Sequence, residues 1–424
     1  MKTLLAATLA LRGATLVDGT GAPPVSDALL VIRDGHVVSA SAATPQAIQA
    51  LPPGTKVVDV AGKWIIPGLI DAHIHAENNA DLKGIFRWGV TSIRLMSEDS
   101  KLAARFAAGS RRRSDVPDVF PAAPIFTVNG GWFGQGQYGD VNLDRFPESP
   151  EGAREAVRKA KALGSPEIKL MLDDMAWCLP RPLPRMRPEI AAALLDEARK
   201  QGMRASVHAP ELANALEAVA GGATALAHGV LDPIDGKMVA AMKARPVFYI
   251  PTMDIFEFLA DTRGFVDSVL SDPMVTRPGT GFSAELIALY RTKGYSDGYR
   301  RRYPGFENVK RHLPSLYANL RTLHAAGVPV ALGTDMWAFP GLSVSIEMDL
   351  YVRAGLTPLE AIRAATQTAA RSVGAADRGT LEPGRRADFL VLSADPLQDV
   401  KNVRKIVEIW KNGETAGPRV QPKN

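Results

Sequence analysis

The chain has 424 residues, of which 46% are hydrophobic and 22% are charged, with 37 Gly and 31 Pro. This is the composition of an ordinary globular protein, and it excludes disorder, collagen and coiled coils. Lys and Arg number 50 against 45 Asp and Glu, so the charge predicts no nucleic-acid partner. The one cysteine, Cys178, excludes an internal disulfide and a thiolate zinc cluster, so a bound metal would depend on His and carboxylates.

No apolar run approaches the roughly 18 residues of a membrane span, so the sequence predicts no membrane partner. The start, MKTLLAATLAL, is similar to a short secretory signal, but it continues directly into RGATLVDGTG, which is typical of strand and turn. We therefore expect an amino-terminal strand and a cytoplasmic protein. A trimmed signal with a periplasmic or secreted location is the alternative.

Both ends of the chain are predicted to be β-structure. Residues 1–66 contain apolar, β-branched runs bounded by Gly or Asp, including DALLVIRDGHVVSA with a turn at Asp34-Gly35. Residues 376–424 have the same texture in ADFLVLSADP and VRKIVEIWKNGE. Short sheet strands are expected at both termini.

Between about Pro67 and Val373, short apolar runs alternate with helical patterns, which is typical of βα units and a parallel sheet. The eight runs are PGLIDAHIH, VTSIRLM, APIFTVN, PEIKLML, MRASVHA, ATALAHG, VFYIPTM and VPVALGTD. Eight units favour a closed (β/α)₈ barrel. A doubly wound open sheet is the alternative, although no strand is followed by a GxGxxG or P-loop segment.

Two insertions follow predicted strands, one rich in Gly and aromatics after the third strand and one over residues 254–324 after the seventh. In a barrel, loops after strands lie on the catalytic face, so either insertion could cover a pocket. The second is partly helical and could serve a subunit contact instead.

Four of the seven histidines end predicted strands: His73 and His75 the first, His208 the fifth and His228 the sixth. One such histidine is more often a satisfied polar residue than a ligand, but their joint placement indicates a metal site. Side chains alternate along a strand, so His73 and His75 are expected to point into the same mouth. Asp335 ends the eighth strand, which adjoins the first in a closed barrel.

Lys169 lies at the end of the fourth strand. An ammonium group facing metal cations is strongly disfavoured by like-charge repulsion. Two interpretations follow. Lys169 forms a buried salt bridge with Asp173 or Asp174, or carbon dioxide converts its amine into a carbamate that bridges two metals.

These motifs resemble the binuclear metal-dependent amidohydrolase superfamily, and within it the imidazolonepropionase-like and Xaa-Pro dipeptidase-like branch. The resemblance covers almost the whole chain and rests on PGLIDAHIH, IKLML, SVHAP, ALAHGVLD, YIPTM, VALGTDMWAFPG and the tail through ADFLVLSADPL. It implies an α/β fold with a (β/α)₈ TIM barrel over residues 67–375. A small β-sandwich domain would be built from residues 1–66 and 376–424.

The resemblance also implies two divalent metal ions, with Zn²⁺ the default for histidine-rich ligation. Carried over by motif, the metal ligands are His73, His75, Lys169, His208, His228 and Asp335, with N6-carboxylated Lys169 bridging the pair. A metal-bridging hydroxide would attack the substrate carbonyl, and Asp335 would carry its proton to the departing amine. Relatives often assemble, so a homo-oligomer is expected.

The chain departs from the resemblance in one loop. Many relatives have a GGHG segment after the third strand, where this sequence reads GGWFGQGQYGD. Trp132 cannot exchange a proton, which favours an aromatic or apolar group on the substrate. The candidate substrate contacts are Trp132, Tyr138, Arg301 and Tyr303, although a solvated face explains the run of arginines around Arg301 at least as well.

The sequence therefore predicts a metal-dependent enzyme that cleaves the C–N bond of a small molecule such as an N-acyl amino acid or a dipeptide. The same centre acting on esters, carbamates or phosphotriesters is the first alternative. A non-catalytic structural homologue is a more distant one, since it should lack ligands and all six positions are filled.

Overall fold

The computed structural model describes residues 8–76, 78–97, 99–134, 145–277 and 280–416. Its strands are β1 (Leu9–Leu16), β2 (Val25–Arg33), β3 (His36–Ala42), β4 (Lys56–Asp59), β5 (Trp64–Pro67), β6 (Leu69–Ile74), β7 (Val90–Met96), β8 (Asp118–Ala122), β9 (Ile125–Phe126), β10 (Glu167–Met171), β11 (Arg204–His208), β12 (Ala225–Leu226), β13 (Phe248–Tyr249), β14 (Phe389–Leu392), β15 (Ile406–Lys411) and β16 (Glu414–Thr415). The α/β class predicted from the sequence is confirmed.

Helices alternate with the central strands and fill the second insertion. The α-helices are α1 (Pro45–Gln49), α2 (Asn79–Arg87), α3 (Ser100–Ser110), α4 (Pro150–Ala162), α5 (Pro188–Lys200), α6 (Leu212–Gly221), α7 (Gly236–Lys243), α8 (Met253–Ala260), α9 (Thr262–Leu270), α10 (Pro273–Thr276), α11 (Ala284–Arg291), α12 (Lys293–Arg302), α13 (Leu313–Ala325), α14 (Leu342–Ala354), α15 (Pro358–Arg363) and α16 (Ala369–Val373). Short 3₁₀ turns cover Phe306–His312 and Val400–Arg404, and a π-turn covers Ala364–Thr368. None of the described helices is long and apolar enough to cross a membrane.

One sheet combines strands from both ends of the chain, in the order β16-β15-β14-β5-β1-β2-β3 with β4 beside β1. The expected turn at Asp34-Gly35 joins β2 to β3, and both residues have positive φ, 53° and 75°. This conformation matches the twist of a tight hairpin, and the Asp-Gly pair tolerates it. Phe389 and Trp410 stack in the core of this sheet with ring centroids 5.2 Å apart.

The central strands pair in parallel as two groups, β6-β7-β8 and β9-β10-β11-β12-β13. Every residue of β6, β7 and β10 is buried, as expected for parallel strands that are covered on both faces. Strand β8 precedes the third predicted run, APIFTVN, and was not predicted from the sequence. The strand pairs that the run does form are those of β9 with β10.

The eighth predicted strand is reduced to a single parallel bridge between Tyr249 and Val330. Its backbone still connects both groups, because Ala331 donates to the Tyr249 carbonyl at 2.9 Å and Leu332 accepts from Ala72 at 2.8 Å. This segment therefore lies between β13 and β6. The closed barrel and the domain boundaries stay predictions.

Candidate metal centre

The first parallel strand brings two imidazoles to one carboxylate. His73 is the fifth residue of β6, and His75 follows the strand. Nε2 of His73 and Nε2 of His75 lie 3.4 and 3.2 Å from the same oxygen of Asp335. His73 is buried, whereas the His75 side chain is 29% exposed, so this pair extends from the core toward solvent.

Asp335 is held by backbone contacts to β6. Its own N–H donates to the His73 carbonyl at 2.7 Å, and its φ of 55° is left-handed. Buried Asp71 ties the same two segments together, because it accepts hydrogen bonds from the Thr334 backbone and hydroxyl and from the His73 N–H. Burial raises the pKa of Asp71 to about 7 against those hydrogen bonds. Sequence reasoning missed Asp71, although it stands two residues before His73.

The fifth and sixth predicted strands supply the other two imidazoles. The ring centroid of His228 lies 4.4 Å from that of His208 and 4.6 Å from that of His73. Nδ1 of His228 is 3.9 Å from Asp335, so three of the histidines lie near this carboxylate, and His208 joins the cluster through the ring of His228. Parallel strands end at one edge of a sheet, which is why residues up to 260 positions apart meet here.

Asp173 orients His208. Its Oδ2 lies 2.8 Å from Nε2 of His208 and accepts a hydrogen bond from the Trp177 indole at 3.1 Å. A carboxylate that binds one ring nitrogen leaves the other free to ligate, an arrangement common around metal-binding histidines. The salt bridge between Lys169 and Asp173 or Asp174, considered from sequence, is not formed among the described residues.

Lys169 is buried in the middle of β10, and its Nζ has no hydrogen-bond partner among the described residues. Burial lowers the pKa of its amine to about 7. Burial and the neighbouring basic groups, Lys169 among them, also lower the pKa values of His73 and His228 well below their ordinary range. The imidazoles of His73 and His228 therefore present a lone pair near neutral pH.

The cluster fits a divalent cation. His73, His228 and Asp335 each offer one ligand atom, and the three atoms lie within 4.8 Å of one another. Nδ1 of His73 is buried without a hydrogen-bond partner among the described residues. Imidazole nitrogen and carboxylate oxygen are the donors that Zn²⁺ and related metals take when thiolates are absent.

A second group of potential ligands, Asp173, Asp174 and Glu211, also comes within 4.8 Å. Sequence reasoning did not anticipate it. Since Asp173 already binds His208 and Trp177, we assign this acidic group a supporting position beside the histidine cluster.

Aromatic rings extend from His75 to His228. We call Trp132, Phe133, Trp177, Phe256, Tyr303 and Phe306 the aromatic belt. One end of the belt is Phe133, which stacks on His75 at 5.9 Å, and the other is Phe256, whose centroid lies 6.2 Å from that of His228.

The belt is continuous between these ends. Trp132 lies 5.6 Å from Phe133, 6.2 Å from Tyr303 and 5.5 Å from Phe306. Trp177 continues it, with centroids 5.7 Å from Phe306 and 6.2 Å from Phe256. Trp132 and Tyr303, two of the residues predicted to contact substrate, are therefore in contact with each other in the belt.

Part of the belt was not predicted from the sequence. Trp177, Phe256 and Phe306 come from three separate segments, and nothing in their local sequence marks them. Arg301 is exposed near the end of α12, and none of the described contacts joins it to the belt. Tyr138 lies outside the described residues.

Comparison with known proteins adds both sequence and fold relatives. Ochratoxinase from Aspergillus niger is 29% identical over 463 residues, which covers 96% of this chain and 86% of the relative. An imidazolonepropionase from Nocardia farcinica is 25% identical over 410 residues, covering 92% of each chain. The crystal structure of a Xaa-Pro dipeptidase with bound methionine superimposes with a TM-score of 0.76 at 19% identity, covering 97% of this chain and 100% of that one.

The family model described as the amidohydrolase family matches residues 64–420, which include every histidine and carboxylate of the cluster. Metal dependence is a property of this superfamily, and it agrees with the ligand groups found here. The chain belongs to the amidohydrolase family and is a hydrolase that acts on carbon–nitrogen bonds.

Proposed function

We propose that this enzyme hydrolyses the amide or peptide-type bond of an N-acyl amino acid or dipeptide-like substrate that carries an aromatic or apolar group. It would do so with two divalent cations, Zn²⁺ in the first instance. The residues proposed to hold them are His73, His75, Lys169, His208, His228 and Asp335. The observation that carries the proposal is the Asp335 carboxylate, which lies between 3.2 and 3.9 Å from three imidazoles.

The cations, when bound, supply a Lewis acid for the carbonyl and lower the pKa of water. Asp335 is the group on this chain that can move the proton. Its side chain is 19% exposed, so it borders both the buried histidines and the opening. A carboxylate in that position accepts the proton of the attacking water and returns it to the leaving nitrogen.

Lys169 is proposed to act as a bridging ligand after its amine adds to carbon dioxide, forming an N–C bond and releasing one proton. The buried Nζ without a hydrogen-bond partner supports this, because a permanent ammonium in such a place is costly. The carbamate is an anion that two cations would neutralise.

The aromatic belt supports the proposed substrate group. It connects the exposed ligand His75 with the buried ligand His228, so a flat apolar group on the substrate would lie along rings beside the reacting bond. Aromatic pairs contribute about 0.5–1.5 kcal/mol beyond the area they bury. Similarity to a Xaa-Pro dipeptidase fold supports a dipeptide-like substrate.

The test uses the full chain, stripped of metal with a chelator and reconstituted with Zn²⁺. We expect the highest kcat/KM for N-acyl amino acids and dipeptides with an aromatic group, measured beside aryl esters, carbamates and phosphotriesters. A preference for the esters or phosphotriesters would assign the same centre another substrate. Zinc bound without turnover of any compound would favour a non-catalytic homologue.

Trp132→Leu tests the belt. We expect KM for aromatic substrates to rise about fivefold and KM for aliphatic ones to change little, because one ring contact of about 1 kcal/mol is lost. Trp64→Leu is the matched control, a half-buried tryptophan in the sheet that both termini form. Equal effects on both substrate classes would contradict the belt's role.

A further inference from the structure

Helix α8 receives its amino-terminal cap from another helix. Thr252 precedes α8 but gives it no side-chain cap. Instead, Glu347 of α14 accepts hydrogen bonds from the backbone N–H groups of Met253 at 2.8 Å and Asp254 at 2.7 Å. The first N–H groups of a helix have no partner within the helix and favour a negative charge. The Glu347 carboxylate therefore caps α8, a role that the side chain of the residue before a helix usually has.

The Thr252 hydroxyl is used elsewhere. It lies 3.0 Å from Nδ1 of His228, and both groups are buried. When that nitrogen carries the hydrogen and donates it to the hydroxyl, Nε2 of His228 keeps its lone pair. This is the arrangement in which a histidine can ligate a cation while its second nitrogen is oriented by the protein.

The conformation that aims this hydroxyl is unfavourable. Thr252 is fully buried with φ 46° and ψ 52°, the left-handed region that β-branched residues rarely adopt. Such a conformation is strained and persists only where its surroundings hold it. The two bonds from Glu347 to the next two N–H groups supply that restraint.

Glu347 is costly to bury. It lies beside Asp254, both are fully buried, and among the described residues neither forms an ion pair. Burial raises the pKa values of both carboxyl groups. A buried acidic pair without a cation weakens a fold, so its presence behind the metal cluster points to a role other than stability.

We propose that Glu347 is a positioning residue for the metal centre. By capping α8 in place of Thr252, it holds Thr252 in the left-handed conformation, and the Thr252 hydroxyl then fixes the ring and the tautomer of His228. The inference rests on the proposed function in that His228 binds a cation, but it requires no particular substrate.

The first measurement is Zn²⁺ affinity of the full chain, by competition with a chromophoric chelator and without substrate. We expect Glu347→Gln and Thr252→Val each to weaken one of the two sites by about 10- to 100-fold, the usual effect of removing a group that orients a ligand. The double variant should lose no more than the larger single loss, because both changes break one connection. Losses that multiply would overturn the proposal.

Ser343→Ala is the matched control on the same helix. Its hydroxyl is fully buried and bonds the Phe339 carbonyl one turn back. We expect Zn²⁺ affinity within about twofold of wild type, although the loss of this hydrogen bond lowers the stability of the protein. A loss equal to that of Glu347→Gln would mean that any damage to α14 weakens the site, which would refute a specific role for Glu347.

The second measurement is the tautomer of His228 in the metal-free protein, read from the ring ¹⁵N shifts. We expect the Nδ1–H form in wild type and in Thr252→Ser, and a mixture in Glu347→Gln. If Glu347→Gln does not fold, Glu347→Asp, which keeps the charge but shortens the reach, replaces it with the same expected mixture. An unchanged tautomer would overturn the inference, whereas zinc binding without hydrolysis would overturn only the proposed function.

Discussion

Strand β10 carries two charged side chains, Glu167 and Lys169, that lie two residues apart and are both buried. Glu167 opens the strand and is paired with Arg94 at 2.6 Å and Arg204 at 3.0 Å. Although burial opposes it, these guanidinium groups hold the pKa of Glu167 below its ordinary value. Lys169, nearer the carboxyl end, has no hydrogen-bond partner among the described residues. The same strand thus carries one buried charged side chain that has ion-pair partners and another that has no hydrogen-bond partner among the described residues.

The same contrast separates two buried lysines. Lys411 of β15 donates to the carbonyls of Arg113 and Val116 at 2.7 and 2.8 Å and pairs with Asp118 at 2.7 Å. Among the described residues, Nζ of Lys169 has no hydrogen-bond partner of this kind. Glu167 and Lys411 thus have partners that stabilise the fold, and Lys169 contrasts with both.

The largest expected effect is at Asp335. Asp335→Asn should lower kcat by about 1000-fold or more, because the amide cannot accept the proton that general acid–base catalysis moves. Most of the bound zinc should remain, since the amide oxygen is still a ligand. Kinetics with the best N-acyl substrate and metal analysis of the same sample check this, and unchanged turnover would remove Asp335 from the mechanism.

Lys169→Ala should remove zinc and activity together, because the proposed bridging carboxylate is gone. Short carboxylic acids such as acetate or propionate should restore part of both by occupying the space of the lost side chain. Metal analysis and rate measurements over a series of acid concentrations check this. Full activity in the alanine variant would refute the bridge.

Stability should change in opposite directions at the two lysines. In the metal-free protein, Lys169→Met should raise the free energy of unfolding by about 1–3 kcal/mol, since it removes a buried polar group that has no partner. Lys411→Met should lower it by a similar amount, because it leaves the carbonyls of Arg113 and Val116 without a donor. Urea denaturation measures both, and equal losses would erase the contrast between the regions.

Glu167→Gln tests the other member of the comparison, the buried side chain of β10 that has ion-pair partners. It should lower the free energy of unfolding by about 3–5 kcal/mol, because the buried guanidinium of Arg94 and the partly exposed one of Arg204 lose their counter-charge. The kcat of the folded fraction at low temperature should stay within about threefold of wild type. A large fall in kcat with little loss of stability would mean that the ion pairs of Glu167 with Arg94 and Arg204 contribute to catalysis and not to the fold.

The smallest effect concerns Glu211, in the acidic group beside His208. Burial, with the nearby Asp173, Asp174 and Asp232, raises the pKa of Glu211 to about 7 from an ordinary 4.5. The folded state therefore binds more protons than the unfolded state between pH 4.5 and 7, and its contribution to stability falls as pH rises through that window. Glu211→Gln should be more stabilising at pH 8 than at pH 5, measured by urea denaturation. An equal effect at both pH values would contradict the shift.

Much of the site was predictable because its signals are local. His73 and His75 stand two apart on one strand, and His208, His228 and Asp335 each end an apolar run, so their common edge follows from parallel pairing. The extents of the third and eighth strands were harder to predict from the sequence. The third run pairs only through the two residues of β9, and the eighth forms one bridge, because strand length depends on neighbours that the pattern does not specify.

The sequence by itself indicated which histidines and carboxylates meet at one edge of the parallel strands, because periodicity and spacing are properties of short segments. Only the tertiary structure decided their partners: Asp173 contacts His208 and not Lys169, and Glu347 caps a helix about 95 residues before it in the chain. Such pairings depend on how distant elements pack against each other. A local sequence pattern does not predict which of several suitable groups lies within hydrogen-bond distance in the folded protein.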